Sequence, residues 1–587
     1  MGSWPCVGSA TPARIVEQST VLMNGRKGVP MIHRPHDGAD IYTVKPFGAL
    51  AALVDCCTLE NALYLHLHLS RYPAVGQTEL IPAARTVLVR FSTYEYTAAF
   101  LAAPDLPPVI GHVRAHGRTV TIPVIYDGQD LADLAAHLGM SEQALIYAHT
   151  TGRWSVAFAG FAPGFFYLHR NDKVLDVPRR ARPRTCVPAG SVGLAGDFSG
   201  IYPRSSPGGW QLIGHTNAPL WDLAQNPPAL LEPGMQVQFE AVRELITVAG
   251  RSPAEEHPGK PALSELAAGL KVRSPGMLTL FQDAGRTGLS HWGVSPSGPV
   301  DRAAAAEANR LVGNQLQATV LENLAGGLAL TAHRDVVLAL TGAQVPARIS
   351  EDNPVDAESP AQEEPLAVTS YRPFALKPGQ TLTLGATERG LRTYLAVRGG
   401  FAAPQQATSS SRDTLAGLGP EPLAPGDLLA LAAESSALVG NPVPPLPLPG
   451  EQILTIRAVP GPRQDWFTPE SLTRFTEAIW EISQSSDRIG ARLVLSESEG
   501  GGERPEPTEV LARLSDKELP SEGMVAGAMQ VPPSGEPVIF LADHPVTGGY
   551  PVIATVHPDD LRLIAQAPPG TKLQFCLVPF DHLTPQK

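Results

Sequence analysis

Short apolar runs, broken every few residues by glycine or proline, set the pattern of this chain from about Ile41 onward. The densest stretch, Val156 to Thr216, contains V-A-F-A-G-F-A-P-G-F-F-Y-L, then P-R-R-A-R-P-R-T-C-V-P-A-G-S-V-G-L-A-G, then G-I-Y-P-R-S-S-P-G-G-W-Q-L-I-G-H-T. No long helix tolerates that punctuation, so tight turns joining short strands are expected, as in a barrel or sandwich. Helical signals stand out elsewhere. Leu131, Leu134, Ala135 and Leu138 mark one helix, and Ser141 caps the next, from Glu142 to His149; both are expected to cover the mouth or side of a barrel. An alanine-rich helix runs from near Asp301 and stops at Gly313 in the manner of a glycine C-cap. Thr468 with Pro469 opens another, whose apolar face is Leu472, Phe475 and Ile479.

These signals divide the chain. Residues 1–40 lack apolar periodicity and read as a disordered arm, 41–119 as a small α/β module and 120–245 as a β-barrel. A polar, Pro-rich linker over 246–269 precedes a β domain over 270–438. A second Pro-rich linker, 439–450, leads to a last barrel over 451–587. Within the β domain, Ser350 to Ala367 carries six acids and no base, the mark of an exposed loop. V-P-A-G-S-V-G-L (Val187 to Leu194) is echoed by V-A-G-A-M-Q-V around Gly527, and P-G-G-W-Q-L-I at Gly208 and Gly209 by T-G-G-Y-P-V-I at Gly548 and Gly549. One β fold used twice is expected. The fold class is therefore mainly β with α/β parts: β-barrel domains in tandem plus a small N-terminal α/β module.

Charge and composition narrow the function classes. The formal net charge is -12, from 45 basic and 57 acidic residues, with no run of Lys and Arg, so no nucleic-acid footprint is present. The five cysteines form no C-x-x-C pair, which signals neither a disulfide framework nor a zinc site. No run approaches the roughly 18 apolar residues of a membrane span, so no membrane role and a cytoplasmic location are expected. His66 and His68, two apart among leucines, lack a third ligand nearby and read as packing or solvent-facing residues.

P-loop, G-x-G-x-x-G, H-E-x-x-H and G-x-S-x-G motifs are all absent. What remains are polar residues in Gly-rich turns and a row of arginines, Arg180, Arg182 and Arg184, which an extended strand would place on one face. That row reads equally as an anion site or as a solvated strand edge.

The motifs F-A-G-F-A-P-G-F-F-Y-L, P-R-T-C-V-P-A-G-S-V-G-L-A-G and G-I-Y-P-R-S-S-P-G-G-W-Q-L-I-G make the first half resemble the B subunit of prokaryotic ATP-dependent 5-oxoprolinase, also called kinase-inhibitor or allophanate hydrolase subunit 1. Through Q-D-A-G-R-T-G, S-G-P-V-D, A-N-R-L-V-G-N, L-E, Y-L-A-V-R-G-G-F, S-R-D-T, P-G-P-R-Q-D-W-F-T, S-D-R-I-G and T-G-G-Y-P, the second half resembles its C subunit. The family is related to the carboxyltransferase domain of urea carboxylase. The resemblance implies cyclophilin-like barrels, a fused B–C pair, a separate A subunit as partner, and ATP with Mg driving the opening of 5-oxoproline to glutamate. Phosphorylating the amide oxygen would make the lactam carbon electrophilic, with arginines holding carboxylate and phosphates and an acid positioning Mg or acting as base.

Carried over motif by motif, Asp283, Asp301 and Asp543 are the expected catalytic residues. Substrate binding is expected of Arg184, Ser191, Tyr202 and Trp210 in the first half, and of Arg286, Asn309, Glu322, Arg412, Asp465, Arg488 and Tyr550 in the second. Metal ligands stay unassigned and a homo-oligomer stays open. Three places depart from the family pattern: D-F-S-G-I-Y-P lacks the usual Gln-Thr at Phe198 and Ser199, D-H-P-V-T-G-G-Y-P has Pro545 and Val546 for a polar pair, and Ile489 and Ala491 alter the S-D-R-M-G-Y-R pattern. If those positions touch substrate, a change in the substrate or in the activity itself is expected. The alternatives are a biotin-dependent carboxyltransferase for urea or a related amide, drawing carboxybiotin from a partner because no A-M-K-M motif is present, and a non-catalytic kinase regulator.

Overall fold

The computed structural model describes residues 41–582 apart from 108–117, 171, 173–174, 181–183, 246–268, 352–364, 433–436, 451, 497–509 and 516. The arm expected over 1–40, Arg182, nearly all of the 246–269 linker and most of the acidic loop lie outside the described residues.

The N-terminal module is a four-stranded sheet in the order β1-β2-β4-β3, from β1 (Thr43–Pro46), β2 (Ala51–Asp55), β3 (Gln77–Pro82) and β4 (Thr86–Phe91), with α1 (Leu59–Arg71) and α2 (Tyr94–Ala102). Every residue of β2 is buried because the sheet is covered on both faces. Ala52 and Val54 point, with Val87 and Val89, toward Leu65, Leu69 and Phe100 of the two helices. Ala51 and Leu53, one residue out of phase, point with Ile81 and Leu88 toward Met524, Val546 and Val552 near the C-terminus of the chain. His66 lies on α1, where residues two apart diverge; burial, reinforced by His291, pushes its pKa down to about 4.

The first barrel comprises β5 (Thr119–Val124), α3 (Leu131–His137), α4 (Glu142–Thr151), β6 (Trp154–Ala159), β7 (Phe166–His169), β8 (Arg184–Val187), β9 (Ser191–Ala195), β10 (Phe198–Ile201), β11 (Ser206–Gly208), β12 (Gln211–His215) and β13 (Gln236–Ala241). Seven strands run in the order β12-β9-β10-β7-β6-β13-β5, an Ile125–His215 bridge joins the two edges, and β8 pairs with β11 alongside. Leu131, Leu134, Ala135 and Leu145 of the two helices enter the barrel core with Trp154, Ile213 and Phe239.

Next come β14 (Leu270–Pro275), β15 (Leu278–Gln282), α5 (Arg302–Leu311), β16 (Val320–Leu324), β17 (Leu328–Ala332), β18 (Val336–Gln344) and β19 (Ala347–Glu351). Then follow β20 (Leu366–Val368), β21 (Pro373–Leu376), β22 (Gln380–Leu384), β23 (Arg389–Val397) and β24 (Leu428–Leu429). They form a six-stranded sheet, β20-β19-β22-β17-β14-β24, and a five-stranded sheet, β15-β16-β23-β18-β21. Helix α5 lays Ala304, Ala305, Ala308 and Leu311 on Ala339, Tyr394 and Ala396; small side chains allow that close approach.

The last barrel comprises β25 (Leu454–Pro460), α6 (Pro469–Glu477), β26 (Trp480–Ile482), β27 (Gly490–Leu495), β28 (Glu522–Gly523), β29 (Ala528–Gln530), β30 (Val538–Phe540), β31 (Thr547–Gly548), β32 (Val552–Val556), α7 (Pro558–Ala565) and β33 (Lys572–Leu577). Its closed order is β25-β32-β29-β30-β27-β26-β33, with β28 paired to β31. Adding twenty to each strand number of the first barrel reproduces this order, and the first and last strands pair in parallel in both. The sequence echo is one topology used twice, and the chain is mainly β with tandem barrels. One expectation is corrected: α6 ends at Glu477, and Ile479 is 37% exposed, while Phe475 stacks on Phe575 and Trp480 fills the core in its place. Among the described residues no helix is long and apolar enough to cross a membrane.

Candidate functional site

The S-S-D-R-I-G turn shows how local sequence aims a charged side chain inward. Asp487 Oδ1 accepts from Ile489 N and Gly490 N at 2.8 and 3.0 Å, an Asx turn that leads into β27. Arg488 is thereby directed into the protein. Its Nε and Nη2 donate to the two oxygens of Asp543 at 2.9 and 3.0 Å, Nη2 also to Gly298 O at 2.7 Å, and Nη1 to Glu322. Asp543 further accepts from Ser297 Oγ at 2.7 Å and from Thr414 N and Oγ1 at 2.8 Å each. Glu322 accepts from Val300 N and the Tyr394 hydroxyl, and that hydroxyl accepts from Asp301 N. Asp301 caps α5 through Ala304 N at 3.0 Å and takes Gln566 Nε2 at 2.9 Å.

Four sequence-predicted residues, Asp301, Glu322, Arg488 and Asp543, thus meet in one buried network joining the middle sheets to the last barrel. Burial works against the Arg488 cation, yet Asp543 and Glu322 outweigh it and hold its pKa above the usual arginine value. Burial likewise opposes ionisation of Asp543, but Arg488 keeps its pKa below the ordinary carboxylate value. Asp301 has its pKa raised by burial. Arg488 therefore presents a fork already filled by carboxylates, unlike the open anion clamp expected from sequence.

Beside this network lies the S-R-D-T segment, Ser411 to Thr414. Asp283 accepts from Gly285 N at 2.9 Å, Ser410 N at 2.7 Å and Ser411 Oγ at 2.7 Å, and from Ser409 Oγ. Arg286 is buried and donates to the carbonyls of Gln406 at 3.1 Å and Ser411 at 2.7 Å. Arg412 donates to Gly419 O and Glu421. Asp413, which sequence reasoning passed over, is fully buried and accepts from Ser295 Oγ at 3.0 Å and Ala416 N at 2.7 Å. Burial, and after it the charge of Asp543, push its pKa up to about 6. Two neighbouring carboxylates with pKa values driven apart are the pattern of an acid–base pair. Its place beside Arg412 in the motif was the available signal.

A cavity of about 190 Å³ opens next to Asp283. Arg302, Ala305, Ala306 and Asn309, at helical i, i+3, i+4 and i+7 spacing, line it along one face of α5. Asn309 braces the wall by donating to Leu316 O and Ala318 O at 3.3 and 2.7 Å. The space is below the roughly 300 Å³ at which drug-sized ligand sites begin, so it does not frame a nucleotide by itself. Among the described residues no group of three or more His, Cys, Asp or Glu is arranged to hold a metal ion.

The remaining predicted residues stand apart from this region. Arg184 Nη2 and Arg180 Nη1 both donate to Asp130 Oδ1, at 2.7 and 2.6 Å. Ser191, Tyr202 and Trp210 are buried in the first barrel. Trp210 makes edge contacts with Phe165 and Tyr167, and the Tyr202 hydroxyl is buried without a partner, its pKa raised by that burial. Asp465 sits at the surface, paired with Lys45 at 3.1 Å, and exposed Tyr550 lies under Arg513. At three departures from the family pattern the side chains Phe198, Val546 and Ala491 are taken up by packing, Ala491 in the core of the last barrel. Phe198 stacks edge-on against Phe158 and Tyr167, Ser199 Oγ bonds His149 Nε2 at 2.9 Å, and Val546 packs between the last barrel and the N-terminal module.

Comparison with known proteins fits this layout. The carboxyltransferase domain, subdomains C and D, matches residues 42–231, and subdomains A and B match residues 292–577. The C subunit of 5-oxoprolinase from Escherichia coli (strain K12) is 36% identical over 310 residues, 52% of this chain and 90% of that protein. The B subunit of 5-oxoprolinase from Escherichia coli O157:H7 is 49% identical over 135 residues, 22% of this chain and 62% of that protein. The crystal structure of TTHA0988 superposes with a TM-score of 0.72 at 34% identity, covering 88% of this chain and 96% of that one. With B-like and C-like sequence in succession on one polypeptide, the chain belongs to the carboxyltransferase-domain family that includes the B and C subunits of 5-oxoprolinase.

Proposed function

We propose that the chain is the B–C component of an ATP-dependent 5-oxoprolinase, acting with a separate A subunit to open 5-oxoproline to glutamate. The observation that carries the reading is the succession of B-like and C-like sequence in one chain, with Arg488, Asp543 and Asp413 gathered in a buried charged seam of its C-like half. Net opening adds water across the amide, oxygen to the carbonyl carbon and a proton to the departing nitrogen. ATP supplies the phosphoryl group that makes that carbon electrophilic, leaving ADP, and the group departs as inorganic phosphate when the carboxylate of glutamate is freed. Within the seam, Asp413, with a pKa near 6, is the group best matched to moving a proton near neutral pH. Asp543, held ionised by Arg488, is matched to steadying positive charge. The test is ATP-dependent glutamate release from 5-oxoproline with the A subunit supplied. Turnover no greater than that of either protein alone rejects the reading.

A second reading is a carboxyltransferase using a partner's carboxybiotin, favoured by the carboxyltransferase-domain match across both halves. Transfer of label from carboxybiotin to urea, without ATP-driven glutamate release, would select it.

A further inference from the structure

The buried arginines of the second half are not alike. Arg488 is paired with Asp543 and Glu322, and Arg463 with Asp55 and Glu522. Arg286 is as deeply buried, 1% exposed, yet its hydrogen bonds go to backbone carbonyls and its Nη1 has no partner. A buried guanidinium nitrogen with nothing to donate to is unfavourable, and an anion brought to it relieves that. Burial accordingly lowers its pKa.

A second arginine with a buried nitrogen left unpartnered comes from the first half. Arg204, in the turn after β10, has a buried Nε without a hydrogen-bond partner. A Cβ added at Gly417, which has φ +65°, would come within 3.0 Å of Arg204 Nη1, so the guanidinium lies against the segment that follows S-R-D-T. Arg204 and Arg286 both interact electrostatically with Asp413 and Arg412. The charges of Asp413, Asp283 and Asp543 oppose the effect of burial on Arg286, and that of Asp413 does so on Arg204, but none of these carboxylates bonds to either guanidinium; Asp413 accepts instead from Ser295 and Ala416. Arg412 is paired with Glu421. Two guanidinium groups, one from each half of the chain, thus lie against the same segment, residues 411–419, each with a buried nitrogen left without a partner.

We infer that Arg204 and Arg286 form an oxyanion clamp beside the seam, taking a carboxylate or phosphate group between a first-half and a second-half arginine. Guanidinium donors suit both anions through paired N–H···O bonds. Identifying the anion as the carboxylate of 5-oxoproline, or as a phosphate released from ATP, rests on the function proposed above; the clamp itself does not.

The test is calorimetric titration of the intact chain, with neither ATP nor the A subunit present, using inorganic phosphate in one arm and 5-oxoproline in the other. Saturable binding of at least one probe is expected, weakened tenfold or more in Arg204→Gln and in Arg286→Lys. Arg204 is only partly buried, so Arg204→Gln decides the matter if Arg286→Lys does not fold. Binding of phosphate alone assigns the clamp to a phosphate group, and binding of 5-oxoproline alone assigns it to the substrate carboxylate. A clamp that binds phosphate in a chain without 5-oxoproline turnover would stand while the oxoprolinase reading falls. The inference is overturned if neither probe binds the wild-type chain, or if Arg204→Gln binds both as the wild type does.

Discussion

The two barrels place an ion cluster at the same point of the same topology and build it with opposite sign. In the first, Gly208 of β11 pairs with Arg184 of β8; in the second, Gly548 of β31 pairs with Glu522 of β28. Each of these charged residues reaches the segment that follows its barrel's first strand. Arg184 and Arg180 share one acid, Asp130, whereas Glu522 and Asp55 share one arginine, Arg463. The inversion tracks what lies on top. Asp55 comes from the N-terminal module, which covers the second barrel and leaves the Arg463 and Glu522 side chains 7% and 3% exposed. Among the described residues nothing comparable buries Arg180, whose side chain is 36% exposed. Duplication preserved the barrel frame while the charge pattern followed the neighbour each copy acquired.

If that difference in burial governs stability, matched substitutions should separate the barrels. Arg463→Met leaves Asp55 and Glu522 buried without their cation and should cost about 3–5 kcal/mol. That corresponds to a fall of roughly 10 °C in the unfolding transition by scanning calorimetry. Asp413→Asn probes the seam instead. Burial raises the Asp413 pKa, so as pH rises the unfolded chain gives up this proton first. Its contribution to stability is full below about pH 4 and is lost by about pH 6, roughly 3 kcal/mol in total for a shift of that size. Denaturant midpoints of the variant should therefore decline less than those of the wild type between pH 4 and pH 6. Val546→Gln restores a polar residue at a position that packs against Phe47 and Leu88, and should destabilise by about 1–3 kcal/mol through an unsatisfied amide. The smallest effect belongs to Arg184→Met, about 1 kcal/mol or less, since Arg180 still pairs with Asp130. Equal losses for Arg463→Met and Arg184→Met would erase the distinction between the barrels.

What the sequence made legible is local. Asp301 as a cap, Thr468 before Pro469, and the Gly-Gly-aromatic turns are written in a few adjacent residues, and the structure follows them. The repeated turn even carried the repeat of the whole barrel topology. What stayed illegible depends on distance along the chain. Arg488 meets partners 55 and 166 positions away, and Arg463 meets Asp55 across 408. No periodicity encodes such pairings. Ile479 was misplaced for a related reason: its spacing fits a longer α6, but Trp480 begins a strand of the closed barrel and takes the core position. Val546 looked like a lost substrate contact until the module docked on it came into view.

The central claim is that this one chain does the work of both the B and the C subunits. The measurement that meets it most directly is glutamate formed from 5-oxoproline by the intact chain mixed with the A subunit, followed together with ATP consumption. The account predicts that glutamate and ADP appear together and only when both proteins are present. ATP-independent release, or none above either protein alone, would contradict it.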